Sequence, residues 1–140
     1  MKKEIIIDSR TEELVRVSGF IRPLLAGLPL GERERASVEF CLMEAVINAI
    51  RHGNGDDPSK KVRVVFESVP DRVALSVTDE GRGFDPAAVG DPRDPARIAG
   101  ASGRGIFFMR QMMSSVSFEF SDQGTTVRLE KIFNGFKDKD

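Results

Sequence analysis

The chain has a single cysteine, a single histidine, and neither tryptophan nor tyrosine. With only Cys41, it can form no internal disulfide and no cysteine cluster for zinc. Without Trp or Tyr, scattered phenylalanines are the only aromatic surface, a poor stacking platform for nucleic acid. An excess of either charge is also missing: Lys plus Arg is 21, Asp plus Glu is 22, and the formal charge is −1. A balance this even leaves no basic footprint for nucleic acid and no polybasic membrane anchor. No apolar run reaches the roughly 18 residues of a membrane span. The opening MKKEIIIDSR holds only three consecutive isoleucines before it turns polar, too few for a signal peptide. These absences lead us to expect a cytoplasmic protein with no membrane and no nucleic acid among its partners.

What is present suits one globular domain. The 140 residues are 40% apolar and 31% charged, and a domain typically holds roughly 100–200 residues. That apolar fraction supports a real core and argues against global disorder. There is no internal repeat and no linker, so we expect residues 1–140 to form a single unit.

The apolar pattern predicts the elements. Residues 4–7 read as a short strand. Ser9 and Glu12 have capping-box spacing, so a first helix is expected from about Arg10, with Leu14, Val17, Ile21, Leu24 and Leu25 at helical spacing. Pro29, Leu30 and Gly31 break it. A second helix is expected from Glu32 to Arg51, stopped by Gly53, Asn54 and Gly55. From Val38 to Ile50 it is apolar nearly all round, the mark of a buried helix, with only Glu39, Glu44 and Asn48 interrupting. Glu39 reads as an ordinary surface charge.

Val62, Val64 and Phe66, then Val73, Leu75 and Val77, alternate as strands, with Pro70 and Asp71 turning between them. Residues 80–103 lack periodicity. Loops of about 20 residues in compact domains are usually lids or binding loops. Gly105 to Ser114 reads as a short helix with Ile106, Met109 and Met113 on one side. Val116, Phe118 and Phe120 form a strand, Asp122, Gln123 and Gly124 turn it, and Thr125, Val127 and Leu129 return it. The tail from Asn134 reads as polar and frayed. The expected fold is α+β: a two-layer sandwich with one mixed, mostly antiparallel sheet and helices on one face.

Three groups of polar residues stand in apolar places. Asp79 continues the spacing of Val73, Leu75 and Val77, so it faces the helices. A carboxylate there must find donors or its burial is costly. It is either a strand-end residue that turns to solvent or caps an amide, or an acceptor for a ligand's amino group. Gly81 and Gly83 complete a D-x-G-x-G stretch, where glycine admits a ligand close to the backbone. Glu44 and Asn48 are four apart and share a helix face. They are a polar stripe meeting water or an internal hydrogen bond, or else a general base beside an oxygen ligand for a hard cation such as magnesium. His52 reads as structural, near a helix C-terminus. Gly103, Arg104 and Gly105 open the third helix, where free amides at the positive dipole end suit phosphate. No G-K-[ST] follows, which excludes a Walker A loop, and the glycine spacing excludes a Rossmann fingerprint.

Together the pieces resemble a known family. E-A-V-I-N-A-I-R-H at 44–52 resembles the N box of the GHKL (Bergerat-fold) ATP-binding superfamily. D-E-G-R-G-F at 79–84 is similar to its first glycine box, and S-G-R-G-I at 102–106 to its second, with 85–101 between them as the ATP lid. Gly124, Thr125, Thr126 and Val127 resemble its final G-T strand. Histidine kinases of the superfamily carry a dimerisation and phosphoacceptor region, for which a chain of this length is expected to have no room. The compact length and the N-A-x-x-H box are most similar to the anti-sigma factor serine kinases (RsbW-like). The resemblance implies a protein that binds ATP, forms a homodimer, sequesters a sigma factor and phosphorylates an anti-sigma-factor antagonist on Ser or Thr. By position it implies that Asp79 accepts the adenine amino group. Gly81 and Gly83 let base and ribose lie close, Asn48 holds magnesium against the phosphates, and Gly103, Arg104 and Gly105 meet the phosphates. Glu44 acts as the base, and Thr125 lines the base pocket.

One departure stands out. Some relatives place a basic residue just before the serine of the second glycine box, and here that position is Ala101, with Arg97 and Arg104 the nearest cations. It keeps a second reading open, an ATP-binding regulator that sequesters a partner without phosphoryl transfer. A plain interaction module with no nucleotide is a third.

Overall fold

The structure is a computed structural model that describes residues 1–81 and 103–133. Strand β1 (Lys2–Asp8) leads through a 3-10 turn (Thr11–Glu13) into helix α1 (Leu14–Ala26), followed by α2 (Glu32–Asn48). A single π turn (Ala49–Gly53) extends α2 before the hairpin of β2 (Lys61–Val69) and β3 (Arg72–Asp79). Helix α3 (Gly103–Met112) then precedes a second hairpin, β4 (Ser115–Ser121) and β5 (Gly124–Ile132). The five strands run in the order β1-β2-β3-β5-β4. Every described pairing is antiparallel. The sheet is therefore more uniform than the mixed one expected, because β1 and the two hairpins leave no parallel neighbour.

Alternation sets the two faces. Val62, Val64 and Phe66 of β2, Val73, Leu75 and Val77 of β3, and Leu129 of β5 are buried on one side. They join Val17, Ile21, Leu25, Val38, Leu42, Val46 and Ile106 from the three helices in one core. The other side carries Glu4, Arg63, Arg72, Arg128 and Glu130, with Arg63–Glu4 and Arg72–Glu130 paired as ions across neighbouring strands and Arg128–Glu130 along β5. A period-2 pattern with one wet face is what an antiparallel sheet covered on one side requires.

Several local expectations change. Ser9 does not cap a helix: it is buried, and its hydroxyl donates to the Lys60 carbonyl at 2.7 Å. The capping-box spacing misleads because the chain at Ser9 lies against the start of β2, and the α-helix begins later, at Leu14. Glu39 is more than a surface charge. It accepts from Ser18 at 3.1 Å and from Arg22 at 3.0 Å, tying α1 to α2. Helix α2 buries only one side, with Phe40 exposed and Met43, Glu44, Ile47 and Asn48 half-buried. Burial pushes the Cys41 thiol up to about 11, and its Sγ lies 3.8 Å from Met112 Sδ, so it packs as an apolar group between α2 and α3. Among the described residues, no helix is long and apolar enough to cross a membrane.

Candidate functional site

Asp79 ends β3 on the helix-facing side and is 6% exposed. Its Oδ1 accepts the Gly81 amide at 2.9 Å and the Thr125 amide at 3.1 Å. It thus caps backbone amides while staying out of solvent, and each bond draws a different segment to it. An ionised carboxylate has about four acceptor positions, and these two bonds leave capacity for a ligand's donor. Burial raises the carboxyl above its ordinary value near 3.8, and the Gly81 and Thr125 amides and the charge of Lys60 pull it partly back.

Three glycines make this arrangement sterically possible. A Cβ on Gly53 would stand 2.1 Å from Asp79 Oδ2. One on Gly81 would stand 2.1 Å from the Gly53 carbonyl oxygen, and one on Gly124 the same 2.1 Å from the Asp79 carbonyl oxygen. Real side chains do not approach so closely, so the backbone is packed around the carboxylate with no room for a methyl group. Gly81 is foreseen as a close-approach position. Gly53 and Gly124 are not: the sequence presents one as a helix stop and the other as a hairpin turn. The signal was available in the spacing, since Gly53 closes the N-box stretch and Gly124 sits directly before Thr125.

The π turn explains how Gly53 arrives. Asn54 N donates to the Ala49 carbonyl at 2.8 Å, an i to i+5 bond. Such turns are rare and frequent at functional sites. The extra residue continues α2 past Asn48 and brings the backbone of Gly53 against Asp79.

Glu44 and Asn48 lie on the last turns of α2, half-buried above the buried Ala45, Val46 and Ile50. Among the described residues neither side chain enters a hydrogen bond or ion pair. Thr125 is half-buried at the start of β5, opposite Phe120. Gly103 opens α3, two residues earlier than expected, and Gly105 is buried. Helix α3 packs beside α2, which places its positive N-terminal end in the same layer as Glu44 and Asn48. The Arg104 side chain, Gly83, Arg97, Ala101 and the 85–101 lid lie outside the described residues. The structure thus joins Asp79, Gly81 and Thr125 by hydrogen bonds, adds Gly53 and Gly124 by close packing, and reaches Glu44 and Asn48 through the π turn.

The Histidine kinase-like ATPase domain matches residues 7–131. The chain belongs to that family. As a histidine kinase-like ATPase domain it carries an ATP-binding fold. An anti-sigma F factor of Clostridium perfringens is 29% identical over 139 residues, with 96% of each chain covered. The serine-protein kinase RsbW of Bacillus subtilis is 29% identical over 128 residues, covering 84% of this chain and 79% of that one. Among solved structures, the RsbU and RsbW domains of a Mycobacterium tuberculosis protein superpose with a TM-score of 0.68 at 21% identity, covering 94% of this chain and 32% of that one. A mycobacterial sensor histidine kinase, MprB, superposes at 0.58 with 17% identity. These two likenesses establish the fold.

Proposed function

We propose that this histidine kinase-like ATPase domain is an anti-sigma factor that binds ATP and sequesters a sigma factor. We further propose that it is a serine/threonine protein kinase acting on an anti-sigma-factor antagonist. The observation that carries the nucleotide half is the buried carboxylate of Asp79, cradled by backbone at Gly53, Gly81 and Gly124. The names of the anti-sigma F factor and RsbW relatives support the partner half. We place the protein in the cytoplasm as a homodimer.

In this reading Asp79 accepts the amino group of adenine, a charge-assisted bond strengthened by exclusion of water. Gly81 and Gly83 admit the base and ribose, and Thr125 lines the base pocket. The amides at Gly103 and Gly105, with Arg104, meet the phosphates at the positive end of α3. Asn48 offers a half-buried side-chain oxygen for magnesium, which would share its remaining shell with phosphates and water and neutralise charge on them. Glu44, one helical turn before Asn48, takes the proton of the substrate hydroxyl as that oxygen bonds to the terminal phosphorus and ADP leaves.

Incubating the protein with ATP, magnesium and a candidate antagonist tests this directly. We expect phosphoserine or phosphothreonine on the antagonist, and a loss of about 100-fold or more in rate for Glu44→Gln with ATP affinity retained. A wild type that binds ATP and magnesium tightly and transfers nothing would overturn the kinase half. The second reading, sequestration without transfer, rests on Ala101 standing where some relatives have a cation.

A further inference from the structure

Asn54 follows Gly53 directly, in a stretch that as sequence only stops a helix. It is 3% exposed, and its amide is engaged at both ends. Nδ2 donates to Ser9 Oγ at 2.7 Å and to the Lys61 carbonyl at 3.0 Å. Oδ1 accepts the Glu80 amide at 2.8 Å. The network has only one consistent direction. The Ser9 hydroxyl spends its proton on the Lys60 carbonyl and must accept from Asn54, so the amide oxygen is left to face the Glu80 N–H. The main chain of Asn54 is held as well, by the Ala49 carbonyl and by the Asp57 amide.

What this joins matters more than how well it is satisfied. Gly53 and Asp79 touch, and their successors, Asn54 and Glu80, are bonded to each other. Glu80 is tied a second time, since its carboxylate accepts the Lys61 amide. Residues 79–81 therefore cannot shift without breaking the bond to Asn54, and Gly81 sits against the Gly53 carbonyl oxygen. We infer that Asn54 is a positioning residue for the nucleotide site: it locks the end of the π turn to the Asp79–Glu80–Gly81 segment, so that the base-binding carboxylate is preset before any ligand arrives. This rests on the nucleotide reading above. It assigns the presetting to one half of the Asn54 amide, the oxygen, while the nitrogen half serves the fold through Ser9 and Lys61.

That division of labour is testable with Asn54→Ala, Asn54→Asp and Ser9→Ala. Each is measured by calorimetric titration with ATP and magnesium, by thermal melting, and by hydrogen exchange at the Glu80 and Gly81 amides without nucleotide. Ser9→Ala is expected to lower the melting temperature and keep ATP affinity within about twofold, because the bond to Glu80 survives. Asn54→Ala is expected to lose affinity on the order of tenfold, the worth of about one hydrogen bond, and to speed exchange at Glu80. Asn54→Asp keeps an acceptor for the Glu80 amide, so that amide stays protected and affinity exceeds that of Asn54→Ala at comparable or lower stability. Should Asn54→Ala fail to fold, the contrast of Asn54→Asp with Ser9→Ala decides. Affinity that tracks stability equally in all three variants would reduce Asn54 to a structural staple and overturn the inference. A wild type that takes up no ATP would instead sink the nucleotide reading, a result distinct from a wild type that binds and an Asn54→Ala that binds equally well.

Discussion

Strand β3 is flanked by two aspartates whose titration is pushed in opposite directions. Asp71, just before it, is held below its ordinary value by the hydrogen bond and charge of Arg72. Asp79, at its other end, is held above it by burial. Around Asp71 the charges are dense and wet: Arg72 also reaches Glu130 at 3.5 Å, and Arg128 bonds the same carboxylate at 3.0 Å. A groove of about 520 Å³ opens there on the face of the sheet turned away from the described helices. Around Asp79 there are no such ion pairs among the described residues: its direct partners are backbone amides in a glycine frame, with the charge of Lys60 acting from further off. The lesson is that charge density does not mark the site. A carboxylate left in place where it costs stability does.

The largest expected effect comes from filling the glycine frame. Gly53→Ala puts a methyl group into the Asp79 carboxylate, so we expect about 1–3 kcal/mol of destabilisation or more, read by denaturant unfolding, together with loss of ATP binding. An Ala variant at Gly53 with unchanged stability and affinity would erase the contrast between the two ends of β3.

Asp79→Asn should separate binding from stability. The amide oxygen can still accept from Gly81 and Thr125, and the buried charge is gone. Calorimetry should show ATP binding abolished, while the melting temperature at neutral pH holds or rises. The sign follows from linkage. An acid whose folded value lies above its unfolded one contributes stability below the unfolded value, and this is lost as pH rises through the folded one. Replacing Asp79 should therefore help most above the ordinary value near 3.8. For the same reason, ATP affinity of the wild type should fall as acidification protonates Asp79, starting at a higher pH than an ordinary aspartate allows. A pH titration of the wild-type affinity checks this, and a fall that begins no higher than for an ordinary aspartate would count against it.

The smallest effect belongs to the other end. Asp71 has the opposite sign: its contribution is present above the unfolded value and is lost as acid passes the lowered folded one. Both partners are exposed, and solvent screens them. Arg72→Ala should leave ATP affinity unchanged and shift the melting temperature only slightly, with any shift vanishing in high salt.

The sequence made the fold readable because the strands after β1 carry apolar residues at every second position and Leu14–Leu25 repeats at helical spacing. It made Asp79 readable because a charge at spacing two from Val77 has to go inward. It was silent or misleading where a residue's role depends on a distant segment. Ser9 looks like a cap and instead meets Lys60, 51 residues away. Gly53, Asn54 and Gly124 look like local punctuation, yet each is held by residues 79–80. Turn chemistry and close approach use the same residue types, and only the pairing of β3 with β5 and the path after α2 tell them apart.

The π turn at the end of α2 also makes the chain unequally tolerant of changes in length. One residue fewer there would restore an ordinary helical turn and swing everything after it by about 100° around the helix axis. Gly53 would then leave Asp79. At Pro70–Asp71, where the β2–β3 hairpin turns in open solvent, an added residue lengthens a loop and little else. Insertions and deletions should therefore be absorbed at that end of the sheet and refused at the other.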